Sequence, residues 1–439
     1  MLEFLRKMWT SFILNLKSNK GTDVVEIADT TTANLDYAIP ELWSVKVRLD
    51  AIKSAFWGSR FEGKQGSGMP IIINTDFAKG PGDVIHFQTM KRLKGAGVTG
   101  ETVLTGSEQQ LSLGQFDLTV EWLRNAVGFN KRGTKRANFD AVMVAGQQLS
   151  DWLARAMDDD LFSELVSPAG SESVTTLRAG NKTADADLNS ADVFNTTCVD
   201  RIKVALLRKG AIPFQVKTVN GATLKFFGVV IDPIDAYNLR ADDAWYSAQR
   251  DANLRGLDNP IFSGALGIYN GIIVYEFGNI GGEQGTWLRP EAKLSAAVGV
   301  GDTTMTVTLD SSTALNATKF FASSGTIRID NEEMSYSSKT VNTFVISARG
   351  ANGTTAVSHS SGAIVTQRNI SSQIAFGGEI AVRGWGLNPK ATREVQDYGF
   401  RYGVGIEAIF GQQVIVDSAS VPPNYVLHKA FASNPNANI

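Results

Sequence analysis

Cysteine and histidine are scarce in this chain, which has one cysteine and three histidines in 439 residues. Cys198 has no second thiol to bridge, so the chain cannot be a disulfide-stabilised scaffold. With only His86, His359 and His428 as further ligands, one subunit cannot assemble the usual Cys/His zinc site. We therefore expect no metal, no other cofactor and no thiol chemistry.

An excess of charge of one sign is also lacking. Lys and Arg number 42 against 44 Asp and Glu, which gives a net charge of -2. Domains that bind DNA or RNA tightly are strongly basic, so this composition argues against such a function. Near-zero net charge instead removes one electrostatic barrier to self-association.

Long apolar runs are absent too, since none approaches the roughly 18 residues that span a bilayer. No membrane partner is expected. The apolar stretch from Met8 to Leu16 follows Arg6 and Lys7 as in a weak signal peptide, but no small-residue cleavage site comes after it. Apolar residues at three- and four-residue spacing from Leu2 to Leu16 favour an amphipathic helix docked on protein, with targeting as the alternative.

The length predicts two to four domains, and residues 22–40 are expected to form an extended linker. A helix is expected to begin at Pro40, whose fixed φ suits a first helical position. The segments DVIHFQTM (83–90) and FDLTVEW (116–122) predict two strands joined through a glycine-rich bend. Together they indicate a long two-stranded excursion over residues 80–120.

The strongest helical pattern covers residues 139–166 and follows Asn138, a good N-cap residue. Its apolar side includes Met143 and Leu149, and its length should be about 40 Å at the usual rise per residue. A helix of this length can serve as the spine of a domain.

A second amphipathic helix is expected to carry Phe194, Cys198 and Ile202 inward and to end at Gly210. Cys198 is therefore interpreted as a core residue. Asn220-Gly221 then separates FQVKTV from ATLKFFGVVI and strongly predicts an antiparallel hairpin. Long helices mixed with antiparallel strands, without regular alternation, predict an α+β fold.

Residues 295–367 differ in composition from the rest, because they are rich in Ser and Thr and poor in charge. Short alternating segments such as TTMTVTL and TFVISA, separated by turn-forming residues, predict a small β-sandwich or barrel. Mixed patterns resume at Ile370, so we expect an inserted, sandwich-like β-domain that replaces a surface loop.

A formal G-x-G-x-x-G motif occurs at Gly95, Gly97 and Gly100. A dinucleotide site needs a following helix whose N-terminus faces the pyrophosphate. The next segment is broken by Gly106 and Gly114, so the tip of a flexible hairpin is the favoured interpretation.

Asp185, Asp187 and Asn189 resemble the opening of a calcium loop. Ser190 replaces the turn glycine and Thr196 replaces the closing glutamate, which disfavours calcium binding. A loop that caps the following helix explains these residues.

Three charged clusters are candidates for contacts between subunits. They are Lys91, Arg92 and Lys94 beside the hairpin tip, Lys131, Arg132, Lys135 and Arg136 before the long helix, and Asp158, Asp159 and Asp160 late in that helix. In a chain of net charge -2, the basic clusters are expected to meet an acidic patch of a neighbour sooner than nucleic acid. The three aspartates point in different directions on a helix, so solvation or pairing with a neighbouring subunit is expected.

The order of these parts resembles the capsid fold of tailed phages, the Hong Kong 97 type. Local sequence is similar to the podovirus-like branch of phage major capsid proteins. The similar segments are GDVIHFQTMKRLKGAGVTGETVLTGSEQQLSL (82–113), VEWLRNAV (120–127), QQLSDWLARAMDDDLF (147–162) and the stretch 231–276. The resemblance covers roughly residues 40–290 and 370–417.

The resemblance implies a shell subunit with six parts. These are an N-terminal arm at 1–40, a peripheral domain at 41–79 and 121–189 with the spine helix at 139–166, an extended loop over a neighbour at 80–120, an axial domain with a return to the peripheral domain at 190–294 and 368–417, an inserted β-domain at 295–367, and a tail at 418–439. Some relatives form Lys–Asn crosslinks between subunits. Lys91 or Lys94 lies in the right loop, but no partner Asn is identified, so this chemistry is not carried over.

The implied function is self-assembly, as hexamers and pentamers, into an icosahedral shell around double-stranded DNA. Assembly is expected in the host cytoplasm, with the virion as the final location. Portal, scaffold and decoration proteins are implied partners, and DNA only by weak non-specific proximity. The alternatives are a tail tube or decoration protein, or a soluble enzyme, which the missing catalytic constellation disfavours.

Overall fold

The computed structural model describes residues 55–58, 60–74, 84–90, 97–101, 103–106, 108, 113–136, 141–167, 174–217, 223–251, 265–278, 285–308, 316–415 and 424–432. The expected arm at 1–40, the helix beginning at Pro40, and Lys91, Arg92 and Lys94 lie outside these residues. The chain divides into two compact units. The smaller unit contains Glu121–Arg155 and Trp385–Phe410, and the larger unit contains Phe56–Val120, Ala156–Gly384 and Gly411–Ile439.

The smaller unit is built on long antiparallel strands. Its elements are β5 (Glu121–Asn130), α1 (Lys131–Arg136), the first part of α2 (Ala141–Val166), and most of β18 (Ala381–Gln396) and β19 (Arg401–Val414). β5 pairs antiparallel with β19 from Asn130 opposite Arg401 to Glu121 opposite Phe410. It is the last strand in the sheet order β1-β2-β18-β19-β5, where β1 is Glu62–Gly63 and β2 is Ile71–Asn74.

Helix α2 matches the predicted spine helix, with 26 described residues and a length of about 39 Å. Its buried residues form two adjacent rows at four-residue spacing. One row is Ala145, Leu149, Leu153, Met157, Leu161 and Leu165, and the next is Gly146, Ser150, Ala154, Asp158 and Phe162. Positions four apart share one helix face and the two rows are neighbours on it, so together they form one broad buried stripe. Met143 was expected on this stripe, but it is 53% exposed, so that assignment is wrong.

The larger unit contains a seven-stranded sheet in the order β6-β20-β17-β8-β10-β9, with β7 paired to β8. These strands are β6 (Thr176–Arg178), β7 (Phe214–Lys217), β8 (Thr223–Ile231), β9 (Ala265–Tyr269), β10 (Ile272–Glu276), β17 (Ile370–Phe376) and β20 (Tyr425–Phe431). Both faces of this main sheet are buried. On β8, Val230 packs with the aromatic cluster of Trp57 and Phe162, whereas Val229 packs with Ile202 on the other side.

Three helices of the larger unit are α3 (Thr196–Lys209), α4 (Pro233–Arg240) and α5 (Asp243–Asp251). The Asn195 side chain accepts a hydrogen bond from the Cys198 backbone N–H and caps α3. Gly210 ends the helix in the left-handed region at φ 71°, where glycine has no steric penalty. Cys198 and Ile202 are buried, so the predicted helix, its inward face and its end are confirmed.

The predicted hairpin is also present as an antiparallel pair, from Phe214 opposite Phe226 to Lys217 opposite Thr223. Its turn at 218–222 lies outside the described residues. On the same strand, Gly228 lies against the Phe376 ring. A Cβ at this position would come within 2.3 Å of that ring, so the close packing requires glycine.

Between β10 and β17 the chain forms a closed six-stranded barrel in the order β11-β12-β15-β14-β13-β16. Its strands are β11 (Glu291–Leu294), β12 (Thr304–Thr308), β13 (Gly325–Ile329), β14 (Glu332–Lys339), β15 (Thr343–Ala348) and β16 (Ile364–Thr366). The sandwich-like form in the sequence prediction is wrong, because β16 pairs with both β11 and β13 and closes the ring. The barrel has its own core, which includes Met305, Ile327 and Phe344.

A separate two-stranded ribbon consists of β3 (Val84–Met90) and β4 (Leu113–Thr119). All seven positions pair antiparallel, from Val84 opposite Thr119 to Met90 opposite Leu113. The two predicted strands are therefore confirmed. The expected second strand at 116–122 is wrong at its end, since β4 stops at Thr119 and the chain passes through buried Val120 into β5.

Among the described residues, no helix is both long and apolar enough to cross a bilayer.

Candidate assembly surfaces

The ribbon β3–β4 presents an exposed polar cluster and a stacked aromatic pair. Phe87 and Phe116 lie opposite each other with ring centroids 5.0 Å apart and planes 10° apart. Beside them, His86 Nδ1 lies 2.5 Å from Asp117 Oδ1, and Gln115 Nε2 donates to the same oxygen at 3.0 Å. The hydrogen bonds from His86 and then Gln115 hold the pKa of Asp117 below its usual value.

Apolar side chains are exposed beyond the strands of this ribbon. Val103 is 70% exposed and Leu104 is 59% exposed. Gly97 and Gly100 have positive φ angles of 69° and 70°, and the described residues 97–101 and 103–106 form turns and no helix. This geometry supplies no helix N-terminus for a pyrophosphate, but it does present apolar surface to a partner.

The basic cluster of the smaller unit forms the short helix α1. Lys131, Arg132 and Lys135 are exposed, and Arg136 completes the helix. The Gly133 N–H donates to Asn130 Oδ1 at 2.6 Å and so caps the helix. Within the described part of the chain, none of the three exposed cations forms an ion pair. Their contact with a neighbouring subunit stays a prediction.

Asp158 is buried and binds backbone in its own chain. Its Oδ2 accepts the Phe56 N–H at 2.7 Å and its Oδ1 accepts the Trp57 N–H at 2.9 Å. Burial raises the pKa of Asp158 to about 6, against the lowering effect of these two hydrogen bonds. The expectation that Asp158 is solvated is therefore wrong, whereas its contact with a neighbouring subunit stays a prediction.

Asp160 is exposed and lies at the edge of a polar network around the buried Arg383. Gln412 Nε2 donates to Asp160 Oδ2 at 3.1 Å and to the Met157 carbonyl at 2.8 Å. The Arg383 Nε donates to Gln412 Oε1 at 2.8 Å, and its Nη1 pairs with Glu62. Arg383 is fully buried, which lowers its pKa. The network ties α2 to β1, β18 and β19 within the larger unit.

Asp159 connects the same helix to the barrel. It forms an ion pair with Lys319, and it accepts a hydrogen bond from Trp287 Nε1 at 3.1 Å. Three consecutive aspartates thus bind three different elements, because successive helical side chains point about 100° apart. The sequence shows the cluster but contains no signal for the partners. A contact of Asp159 or Asp160 with a second subunit stays a prediction.

A second buried network lies between α4 and the main sheet. Asp235 is fully buried and accepts hydrogen bonds from the Ser371 hydroxyl at 2.8 Å and from Gln373 Nε2 at 2.7 Å. His428 Nδ1 lies 2.7 Å from Gln373 Oε1 and donates to it. Burial, followed by the charge of Asp232, raises the pKa of Asp235 to about 7.

The three histidines lie in three different parts of the fold, so the fold does not bring them together. His86 contacts Asp117 in the ribbon, His359 contacts Asp330 and Glu332 in the barrel, and His428 contacts Gln373 in the main sheet. None of these partners is a Ser or Cys that a histidine could activate. Within the described residues, no group of three His, Cys, Asp or Glu side chains is placed to hold a metal ion.

The fold is similar to the fold of phage capsid proteins in solved structures. The capsid of Ralstonia phage GP4 aligns with a TM-score of 0.58 at 18% identity, covering 87% of this chain and 92% of that one. The capsid asymmetric unit of cyanophage Pam1 aligns with a TM-score of 0.56 at 18% identity, covering 86% and 93%. At these identities the likeness concerns the fold alone.

The amino-acid sequence identifies the family. The chain is 23% identical to the major capsid protein of Pseudomonas phage KPP25 over 240 residues. This alignment covers 48% of the chain. The alignment spans 63% of the length of that relative. Residues 29–282, more than half of the chain, match the model of the phage capsid protein family, and the chain belongs to that family.

Proposed function

We propose that this chain is the major capsid protein of a tailed bacteriophage. Copies of it assemble as hexamers and pentamers into an icosahedral shell that encloses packaged double-stranded DNA. The family membership and the capsid-like fold support this function. It is the function of a structural protein and requires no catalytic site.

The parts of the chain fit a Hong Kong 97 type of subunit. The ribbon β3–β4 takes the role of the extended loop, α2 that of the spine helix, and the smaller unit that of the peripheral domain. The main sheet with α3, α4 and α5 takes the role of the axial domain. The barrel is the inserted domain, and we assign it to the outer surface of the particle.

The ribbon is the observation that carries the proposal. An isolated two-stranded hairpin is at best marginally stable in water, and here neither strand pairs with a third one among the described strands. Val103 and Leu104 are also exposed, and no described residue buries them. A neighbouring copy laid under the ribbon would complete its packing and bury these side chains.

The remaining partners follow from the shell. Portal, scaffold and decoration proteins would contact it, and the near-neutral chain would meet DNA only weakly and without sequence preference. Assembly would take place in the host cytoplasm and the product would be the virion. A closed barrel has no free strand edge, which suits a domain exposed on the outside of a particle.

Recombinant chain tests the proposal through light scattering and negative-stain electron microscopy. Wild-type protein should form closed shells of megadalton mass. Replacing Val103 and Leu104 together by Asp should lower the shell yield at least about tenfold, because burying each side chain is worth about 1.5–3 kcal/mol. The matched control replaces Val300 and Val341 of the barrel, each 53% exposed, by Asp and should still form shells. Tubes, or monomers only, from wild-type protein would contradict the proposed function.

A further inference from the structure

Strand β5 has one edge without a partner. Its ten residues pair with β19 on one side, in a ladder without register shifts. On its other side, no strand of the described chain is paired with it. An unpaired row of backbone N–H and C=O groups is a template for a further strand.

Alternate residues of β5 direct their backbone N–H and C=O groups away from β19. The Lys131 N–H donates to the Phe400 carbonyl at 2.9 Å, one step beyond the pair of Asn130 and Arg401. Because hydrogen-bonded pairs alternate in an antiparallel ladder, the odd-numbered residues bond β19. The outward groups therefore belong to Trp122, Arg124, Ala126, Gly128 and Asn130, all of which are exposed. Two of them already have local partners, since the Ala126 N–H donates to Asn125 Oδ1 at 2.9 Å and the Asn130 carbonyl accepts from the Thr134 hydroxyl at 3.2 Å.

This edge carries few of the features that normally prevent edge-to-edge association. Natural edge strands are blunted by lysine, proline, bulges or short length. β5 has ten residues and contains no Lys and no Pro. Trp122 is 61% exposed on it, which adds apolar surface at the edge. An edge of this kind indicates that another strand covers it.

We propose that the occupant is β5 of a second copy of this chain, paired antiparallel about a two-fold axis at Ala126. Outward residues must face one another in such a pair, so Ala126 lies opposite the partner's Ala126. Trp122 then lies opposite the partner's Asn130, and Arg124 lies opposite the partner's Gly128. One patch serves both copies, as an isologous contact requires.

Charge and shape select this register. Glu121 falls opposite the partner's Lys131, and the same pair occurs twice by symmetry. Both residues are exposed, and neither forms an ion pair with another described residue. A Cβ built on Gly128 would have no atom within 4 Å, which leaves room for the partner's Arg124. A shift of two residues would place Glu121 opposite the partner's Phe129 or the partner's Gly133 and lose both charge pairs.

The contact is weak alone and useful in a shell. Ten residues on each side are fewer than the roughly 20–30 of a stable independent interface. Many such contacts in one particle add up through multivalency. The inference therefore rests on the proposed self-assembly and names one of its interfaces.

Disulfide trapping in assembled particles tests the pairing. In Ala126→Cys particles, the two opposed Cα atoms should be about 5.5 Å apart, within the range that a disulfide spans. Mild oxidation should then give a covalent dimer on non-reducing gels. The native Cys198 is buried, so it should add little background crosslinking. Glu121→Cys is the matched control, since the two copies of this residue would be about 34 Å apart. It should give at least about tenfold less dimer, and adding Lys131→Cys to it should restore the dimer.

The outcomes separate the two proposals. Particles that form normally while Ala126→Cys stays monomeric, or while Glu121→Cys crosslinks equally well, overturn the pairing and leave the proposed function intact. Wild-type protein that forms no particles before oxidation contradicts the proposed function and removes the pairing with it. Glu121→Lys should reduce particle yield several-fold, and adding Lys131→Glu should restore it. Failure of this rescue also counts against the register.

Discussion

Replacing Asp235 by Asn should change the pH dependence of stability in a defined direction. The folded chain raises the pKa of this carboxyl from 3.8 to about 7, so the native state holds a proton that the unfolded state releases. The contribution of Asp235 to the free energy of unfolding is fully present below pH 3.8 and is lost as the pH rises towards 7. Between pH 5 and pH 8 the loss is about 3 kcal/mol, from about 1.4 kcal/mol per pKa unit.

The Asn variant cannot ionise, so it lacks this loss. Ser371 and Gln373 donate to different carboxyl oxygens, and in Asn one of these is replaced by an NH2 group. The lost hydrogen bond costs about 1–3 kcal/mol at every pH. We therefore expect Asp235→Asn to be less stable than wild type at pH 5 and equal to it or more stable at pH 8. Asp158 and Asp232 also titrate, but both are present in the variant and in the wild type. The stability of the variant relative to wild type should therefore still increase from pH 5 to pH 8.

Calorimetric unfolding of the unassembled chain at pH 5 and pH 8 measures this difference. Asp243→Asn on α5 is the matched control, because its carboxyl is exposed, and it should shift stability equally at both pH values. If Asp235→Asn differs from wild type by the same amount at pH 5 and pH 8, the reasoning about the buried proton is refuted.

Two further predictions concern the aspartates of α2. Asp158→Ala leaves the Phe56 and Trp57 N–H groups without an acceptor and should destabilise the chain by about 2–5 kcal/mol in denaturant unfolding. A loss below about 0.5 kcal/mol would contradict the buried role of this residue. Lys319→Met removes a partly exposed ion pair with Asp159 and should lower Tm by about 2 °C or less in calorimetry. A much larger fall would show that this pair holds the barrel in place.

Several elements could be predicted because their signals are local. The capping Asn195, the terminal Gly210 and the apolar positions between them specify α3 without reference to the rest of the chain. Asn220-Gly221 between alternating segments specifies the pairing of β7 with β8. The ribbon strands were predicted by the same alternation, whereas the break at Val120 was missed because the following residues are equally good strand formers.

The sites depended on contacts that span the whole chain. Arg383 pairs with Glu62 across 321 residues, and Gln412 reaches the helix residue Asp160 across 252. Nothing in the run Asp158–Asp160 distinguishes the buried carboxyl from its neighbours, because desolvation is a property of what packs around it. The same reason explains why the sequence suggested contacts between subunits where the chain binds itself.

The sequence by itself determined which segments are helices and strands, which faces they bury, and that one stretch forms a separate β-domain. Periodicity and capping act over a few residues, so they are written in the order of the amino acids. Only the tertiary structure decided that the barrel closes, that β5 lies at the edge of its sheet, and which carboxyls lose their water. These features arise from the packing of segments that are far apart in the chain. Local conformational preferences do not encode that packing.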